Sequence, residues 1–418
     1  MRIAIVGAGI IGVTTSYELA LQGHEVTVFD RRASVAEECS FANAGIVAPG
    51  LVTPWAAPGM TWQLLRGLFK NHTPLAVSTR AALSHLPWLW RWWRACRPAA
   101  HLANRAVMHQ LARLSQDRML ELTRSLQLNY EQMPGCLILL RSERELLPAR
   151  RGSQMLQDLG VNHELVDAAA CRRLEPGLNP QTGLLAGIHL RQDGLGNCRQ
   201  FAQLMKSQAM RHGAQFCLAT PVRRIVAGAA PLIEQTDGSQ RAFDAVVVCA
   251  GVDANVLLRP LGLKLPLAAV HGHSVTAPLR HIDGHDHPGP RAALLDGRHE
   301  VSISRLGQRV RVSGGAQLGG RLAPINAAPL RGLYRVLDDW FPGATVVRDA
   351  QQWKGAQAML PDGPPVLGAS GAPGVWLNLG HGSSGWALAC GSARVLAEQL
   401  AGREAPLDVV RLGIARLR

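Results

Sequence analysis

The first thirty residues, MRIAIVGAGIIGVTTSYELALQGHEVTVFD, constrain the fold more than any other stretch of the chain. Arg2 to Val6 is an apolar, β-branched run that predicts a buried strand. Gly7-Ala8-Gly9-Ile10-Ile11-Gly12 turns that strand into a helix carried by Thr15, Leu19 and Ala20, and Gly23 ends the helix. Glu25 to Phe29 makes a second strand with Asp30 at its end. Each residue has a physical task in a dinucleotide site: Gly7 allows the tight turn, Gly9 lets backbone approach a pyrophosphate, and Gly12 lets helix and strand pack closely. The first helical N–H groups, around Ile10 and Ile11, face the anion, and Asp30 accepts from a ribose hydroxyl. GxGxxG alone is weak evidence. Here strand, glycines, helix, second strand and acid fall in register, so the unit predicts dinucleotide binding. Arg31 and Arg32 suit either a 2′-phosphate or plain solvation.

At 418 residues the chain has room for two domains, and 47% hydrophobic with 18% charged residues describes a globular protein. A net charge of +14 suits nucleic acid or anionic lipid, but it also follows from arginine-rich composition: Lys70, Lys206, Lys264 and Lys354 are the only lysines. No nucleic-acid reading module accompanies the charge. The eight cysteines form no CxxC pair, which predicts reduced thiols on the cytosolic side of a membrane and no metal centre. The chain begins on its first strand and has no uninterrupted apolar run of about 18 residues, so the expectation is a protein without signal peptide or spanning helix, soluble or peripheral.

Residues 40 to 59, rich in Gly, Ala and Pro, predict a shaped loop. Residues 61 to 130 predict a basic helical region in which Trp88, Trp90, Trp92 and Trp93 lie among Arg91, Arg94 and Arg97. Segment 62–97 reads equally as a packed helix with solvated arginines or as a peripheral membrane contact. Further along, the patterning predicts helices at 110–126, 154–159, 166–174 and 199–210, a strand at 135–140, and a turn at 193–196. Strands follow around the Thr220-Pro221 turn and the Asp237-Gly238 hairpin. Phe243 to Gly251 reads as a buried parallel strand joining the sheet begun at Arg2, making the nucleotide domain discontinuous. Segments 268–276, 300–305 and 308–314 alternate as antiparallel strands of a second domain, with a helix at 330–340. Gly380-His381-Gly382-Ser383-Ser384-Gly385 opens a last helix, as a second anion cradle or an ordinary capped start.

MRIAIVGAGIIG, SFANAGIVAPG at 40–50, PWAAPG at 54–59, LPDGPPVLG at 360–368 and LGHGSSGWALACGS at 379–392 resemble, in order and spacing, the D-amino acid oxidase and glycine oxidase family of FAD proteins, and within it the bacterial D-amino acid dehydrogenases. The resemblance implies an α/β fold, a Rossmann-like FAD-binding domain (1–60, 145–265, 350–418) interleaved with a substrate domain (61–144, 266–349) built on an antiparallel sheet plus helices. It implies noncovalent FAD held by Gly7, Gly9, Ile10, Ile11, Gly12, Asp30 and Arg31, with Ser40, Asn43, Ala44 and Gly45 near pyrophosphate and flavin. Val222 would lie by the adenine, Ala250 and Gly251 by the pyrophosphate, and Gly380, His381, Gly382, Ser383 and Ser384 by the pyrimidine edge. The implied activity is oxidative deamination of a D-amino acid or related amine, by a dehydrogenase or an oxidase; the membrane-contact reading of Trp88 to Arg97 adds a quinone or carrier as electron acceptor in place of oxygen. Where the family reads Gly-Leu-Arg-Pro, this chain has Gly355-Ala356-Gln357-Ala358, and a neutral glutamine cannot pair with a carboxylate as arginine does. Substrate handling is therefore expected from Gln357, His273, His299 and Arg305. A secondary or cyclic amine, or a substrate with a masked carboxylate, is the alternative, and a non-catalytic flavoprotein subunit is a third.

Overall fold

A computed structural model describes residues 1–60, 75–77, 83–280, 289–320, 325 and 327–417. Its core begins with the predicted βαβ unit: strand Arg2–Val6, helix Ile10–Leu21 and strand Glu25–Phe29. Arg2–Val6 lies inside a six-stranded sheet, flanked in parallel by Glu25–Phe29 and by Ala245–Val248, which in turn pairs in parallel with Val375–Leu379. All four residues of Ala245–Val248 are buried, the reason for its unbroken apolar run. One side of the sheet is covered by Ile10–Leu21 together with helices Cys198–Arg211 and Gly385–Leu400. Helix Pro98–Ser125 packs on Gly385–Leu400 at Gly391, where an added Cβ would stand 2.7 Å from Leu111 O.

A second, ten-stranded sheet holds Gln351–Met359, Ala268–Pro278, Arg309–Leu318, Val301–Leu306 and Ala293–Asp296 in that order, then Met133–Leu140 and Ala186–Leu195. Its pairs are antiparallel except Ala293–Asp296 with Met133–Leu140 and Arg309–Leu318 with Leu75–Val77. Alternation gives the central strands two different faces. Val275, Ile303, Val310 and Val312 pack against Leu330, Leu333, Val336 and Trp340 of helix Ala327–Trp340. Ser274, Thr276, Ser304 and Arg311 point the other way, toward the loop after residue 40.

Several local expectations change. Residues 164–167 form a strand before helix Ala168–Leu174, and 193–195 continue strand Ala186–Leu195 instead of turning. Helix Glu143–Asp158 starts well before residue 154 because Ser142 and Glu145 form a capping box, and Pro148 falls inside its first turns. Strands Ala186–Leu195 and Gln351–Met359, from segments assigned to the nucleotide side, pair in the larger sheet. Within the basic region, helices Leu86–Ala95 and Pro98–Ser125 form, strand Leu75–Val77 interrupts the expected helical run, and residues 61–74 and 78–82, with Arg66, Lys70 and Arg80, lie outside the described residues.

Candidate active site

One cleft joins the two sheets, with about 1520 Å³ of empty space counting its open mouth. Gly7, Gly9, Ile10, Ile11, Asp30, Arg31, Val222, Ala250 and Gly251 line one end. Gln357, Gly380, His381, Gly382 and Ser383 line the other, and Ser40, Asn43 and Trp386 also face the space. Ala44, Gly45, Gly12 and Ser384 are not on its surface; Gly12 packs on Gly7, Gly45 N donates to Asn43 Oδ1 (3.1 Å) and Ser384 N to His381 O (3.2 Å).

The glycine turn has the shape a dinucleotide needs. Gly7 has φ +108°, and a Cβ there would stand 2.6 Å from Cys249 O. At Gly12 it would stand 1.8 Å from Gly7 O, so helix and turn touch backbone to backbone. Gly9 differs: its Cβ would meet only Ser40 Oγ, at 3.5 Å, which leaves the approach from the cleft open. Asp30 is fixed at its strand end by N–H groups of Ala8 (2.6 Å) and Arg32 (2.7 Å). A carboxylate has about four acceptor positions, so two remain for hydroxyls. Ser40 Oγ accepts from Ile10 N at 3.0 Å and brings the next loop to the helix start. Arg31 bridges Glu38 (2.6 Å) and Asp253 (2.8 Å), so its charge is already answered by two carboxylates.

Four successive carbonyl oxygens hold the loop from Ala42 to Gly45 as a wall. Ser274 Oγ donates to Ala42 O (2.9 Å), Arg311 Nη1 to Asn43 O (3.0 Å), Ser304 Oγ to Ala44 O (2.7 Å) and Trp386 Nε1 to Gly45 O (3.1 Å). With their oxygens engaged from the sheet and helix side, these residues form a rigid surface beside the cleft.

The far end is neutral among the described residues. Gln357 lies on the wall-facing side of the large sheet: it pairs with Val270, and a Cβ on Gly272 would stand 3.2 Å from its Nε2. His381 is buried against Ser392 Oγ (2.9 Å), and burial pushes its pKa down to about 3, so the ring is neutral. A short 3₁₀ turn, Gly382–Ser384, precedes helix Gly385–Leu400, whose start faces the cleft through Gly385 and Trp386. Asn378 gives its amide N–H to Thr15 and leaves Oδ1 buried and unpaired while lining the cleft.

The other sequence candidates lie elsewhere. His273 is one step out of phase with Ser274 and turns to the opposite face; burial, then nearby Lys354, pushes its pKa down to about 4. His299 caps buried Asp296, donating its backbone N–H (2.9 Å) and lying 3.1 Å away through Nδ1, in a cluster with Arg141 and Trp340. Arg305 folds back on its own hairpin, Nε to Gly307 O at 3.0 Å. Neither lines the cleft. Sequence reasoning missed Ser274, Ser304, Arg311 and Asn378; the alternations Ser302, Ser304 and Arg311, Ser313, with Ser274, Thr276 on the neighbouring strand, mark a polar sheet face that could have drawn attention to the first three.

The residues fit FAD: the cradle a Cβ would fill, the ribose-facing carboxylate and an unpaired amide oxygen share one cleft. The FAD dependent oxidoreductase (DAO) family model matches residues 2–399. A D-amino acid dehydrogenase of Cereibacter sphaeroides is 40% identical over 420 residues, covering 100% of this chain and 95% of that protein. Among solved structures, glycine oxidase from Geobacillus kaustophilus superposes with TM-score 0.74 at 20% identity over 99% of each chain. L-proline dehydrogenase from P. horikoshii gives TM-score 0.75 at 16% identity, over 99% of this chain and 96% of that one. A match of this length, on a chain whose cleft has that form, places the protein in the DAO family of FAD-dependent amino-acid dehydrogenases and oxidases.

Proposed function

We propose that the chain oxidises the C–N bond of a D-amino acid or related amine, with noncovalent FAD in the cleft. The observation that carries this reading is continuity: one cavity runs from the glycine turn to Gln357 on the large sheet. FAD bound there would supply a two-electron acceptor for hydride leaving the α-carbon, and the imine product would hydrolyse in water to an oxo acid. Gly7, Gly9, Gly12, Asp30, Val222, Ala250 and Gly251 would hold its ADP half, and the 380–384 turn its ring. With the ring there, the start of helix Gly385–Leu400 would set partial positive charge beside the developing negative charge. The substrate amine must arrive unprotonated, so the protein's task is orientation and electrostatics. Burial raises the cleft-lining Cys39 thiol to about 12, which disfavours the thiolate that a covalent flavin link would need.

Gln357 supports a substrate whose carboxylate is absent or masked, such as a cyclic amine or an amino-acid derivative. Anaerobic mixing with D- and L-amino acids, amino-acid amides and cyclic amines, followed at the flavin absorbance band, tests both forms of the reading. Fastest bleaching by uncharged amines supports the role given to Gln357; bleaching by none makes the chain a non-catalytic flavoprotein.

Helix Leu86–Ala95 supports a place for the reaction. Trp88 and Trp92 are buried, whereas Trp90 (58% exposed) and Trp93 (47%) stack outward at 5.0 Å beside Arg94. No described helix is long and apolar enough to cross a membrane. An amphipathic patch of this composition suits peripheral docking on anionic lipid, from which electrons would pass to a quinone or carrier.

A further inference from the structure

Arg311 is the least expected residue near the cleft. It is 5% exposed, in strand Arg309–Leu318, and among the described residues no carboxylate pairs with it. Nε donates to Thr276 Oγ1 (2.9 Å) and Nη1 to Asn43 O (3.0 Å). A buried guanidinium without a counter-charge is costly, and here burial lowers its pKa only to about 10, so the charge stays.

The other cations near the cleft are spoken for or face away. Arg31 and Arg32 meet Glu38 at the glycine end (2.6 and 2.9 Å), and His381 is neutral. Lys354 pairs in register with His273, on the sheet face opposite the cleft. Among the described residues, Arg311 alone donates from a charged group to the Ala42–Gly45 wall, at Asn43, which itself lines the cleft.

We propose that Arg311 is a positioning residue for cofactor reduction: its buried charge favours the negatively charged two-electron-reduced form of the bound flavin. Charge interactions through protein interior are weakly screened, so a guanidinium one residue behind the cleft surface acts across the wall without touching the ring. Main-chain hydrogen bonding alone does not require a cation at this point. Ser274, Ser304 and Trp386 hold the neighbouring carbonyls as neutral donors.

The inference rests on FAD occupying the cleft, as the proposed function does, but not on the choice of substrate, and its test uses none. The midpoint potential of the FAD-loaded enzyme is measured by equilibration with a reference dye in wild type, R311K, R311M, R311Q and S304A. Wild type and R311K are expected to lie above free FAD and close together. R311M and R311Q should fall by at least tenfold in the two-electron equilibrium, about 30 mV. S304A, which removes a wall bond and keeps the charge, should stay at the wild-type value. Unchanged potentials in the neutral variants, or an S304A shift as large as theirs, overturn the proposal. If neither neutral variant retains flavin, a wild-type potential at or below free FAD overturns it and one above supports it. Substrate turnover failing while the potentials follow this pattern would count against the proposed function alone.

Discussion

The two ends of the cleft are built by opposite means. The glycine end is organised by one short stretch, Gly7 to Gly12, whose recognition groups are backbone N–H groups, and its two arginines are answered by carboxylates, Arg31 by Glu38 and Asp253 and Arg32 by Glu38. The Gln357 end draws side chains from strand Gln351–Met359, the loop at Asn43 and the turn at His381, and is neutral on its described surface. Phosphate is the same in every dinucleotide, so a fixed backbone geometry serves it. A substrate is chosen by side chains, and those can change while the cradle stays.

This contrast can be tested first at the cradle itself, where the effects should be largest. Gly12→Ala puts a methyl group 1.8 Å from Gly7 O and should cost about 4–5 kcal/mol, leaving little soluble protein. The Cβ of Gly9→Val meets only Ser40 Oγ within the protein, so the variant should fold with the melting temperature of flavin-free wild type yet be colourless, with FAD content down at least tenfold. A folded, yellow Gly9→Val protein would remove the cradle from the argument.

At the other end, Gln357→Arg should raise kcat/KM for amino acids with a free carboxylate by about ten- to a hundred-fold, from about 1.5–3 kcal/mol of charge-assisted pairing. Efficient wild-type turnover of D-alanine, unaffected by the substitution, would show that Gln357 does not face the substrate. Outside the cleft the effects should be smaller. Trp90→Ala with Trp93→Ala should lower co-flotation with anionic vesicles severalfold, and wild-type binding should weaken with salt as charges beyond about 8–10 Å are screened. Equal recovery on neutral vesicles would mean that the helix is only a packed surface.

The smallest expected effect is a pH slope. Burial raises Glu175 to about 7, although Arg291 N (2.7 Å) and Ala292 N (3.0 Å) donate to its carboxylate. The folded state therefore holds a proton that the unfolded state has released. The stabilisation is complete below about pH 4.5, the ordinary value, and is lost as pH rises through about 7. Glu175→Gln should flatten that slope, by about 1–3 kcal/mol between pH 5 and 8. A thermal-melt series with the same slope in both proteins would assign it elsewhere, Asp193 being the next candidate, raised by burial to about 6.

The same contrast explains what could be read from residues alone. The βαβ unit, strand Ala245–Val248 and the last helix carry their signals within a few neighbouring positions. Strand Gln351–Met359 does not: QQWKGAQAM has little apolar alternation because Gly355 yields its space to the Trp353 ring, 1.8 Å from where a Cβ would be. His299 and Arg305 looked like substrate ligands because histidine and arginine are chemically suited to it. Their positions depend on Asp296 and on a hairpin turn, which spacing does not report.

The wall at Ala42–Gly45 also bears on how the molecule comes to be. Its four side-chain donors lie 232, 260, 268 and 341 residues away in sequence. Closing loops of that length is slow and entropically unfavourable until much else is in place. During synthesis the glycine turn emerges long before Trp386, and the wall beside it cannot close fully until Trp386 has left the ribosome. The glycine turn and the flavin-side wall are thus completed by partners from far along the sequence, Cys249 and Ala250 for the one and Trp386 for the other, and a pocket with this wall closed forms late in folding.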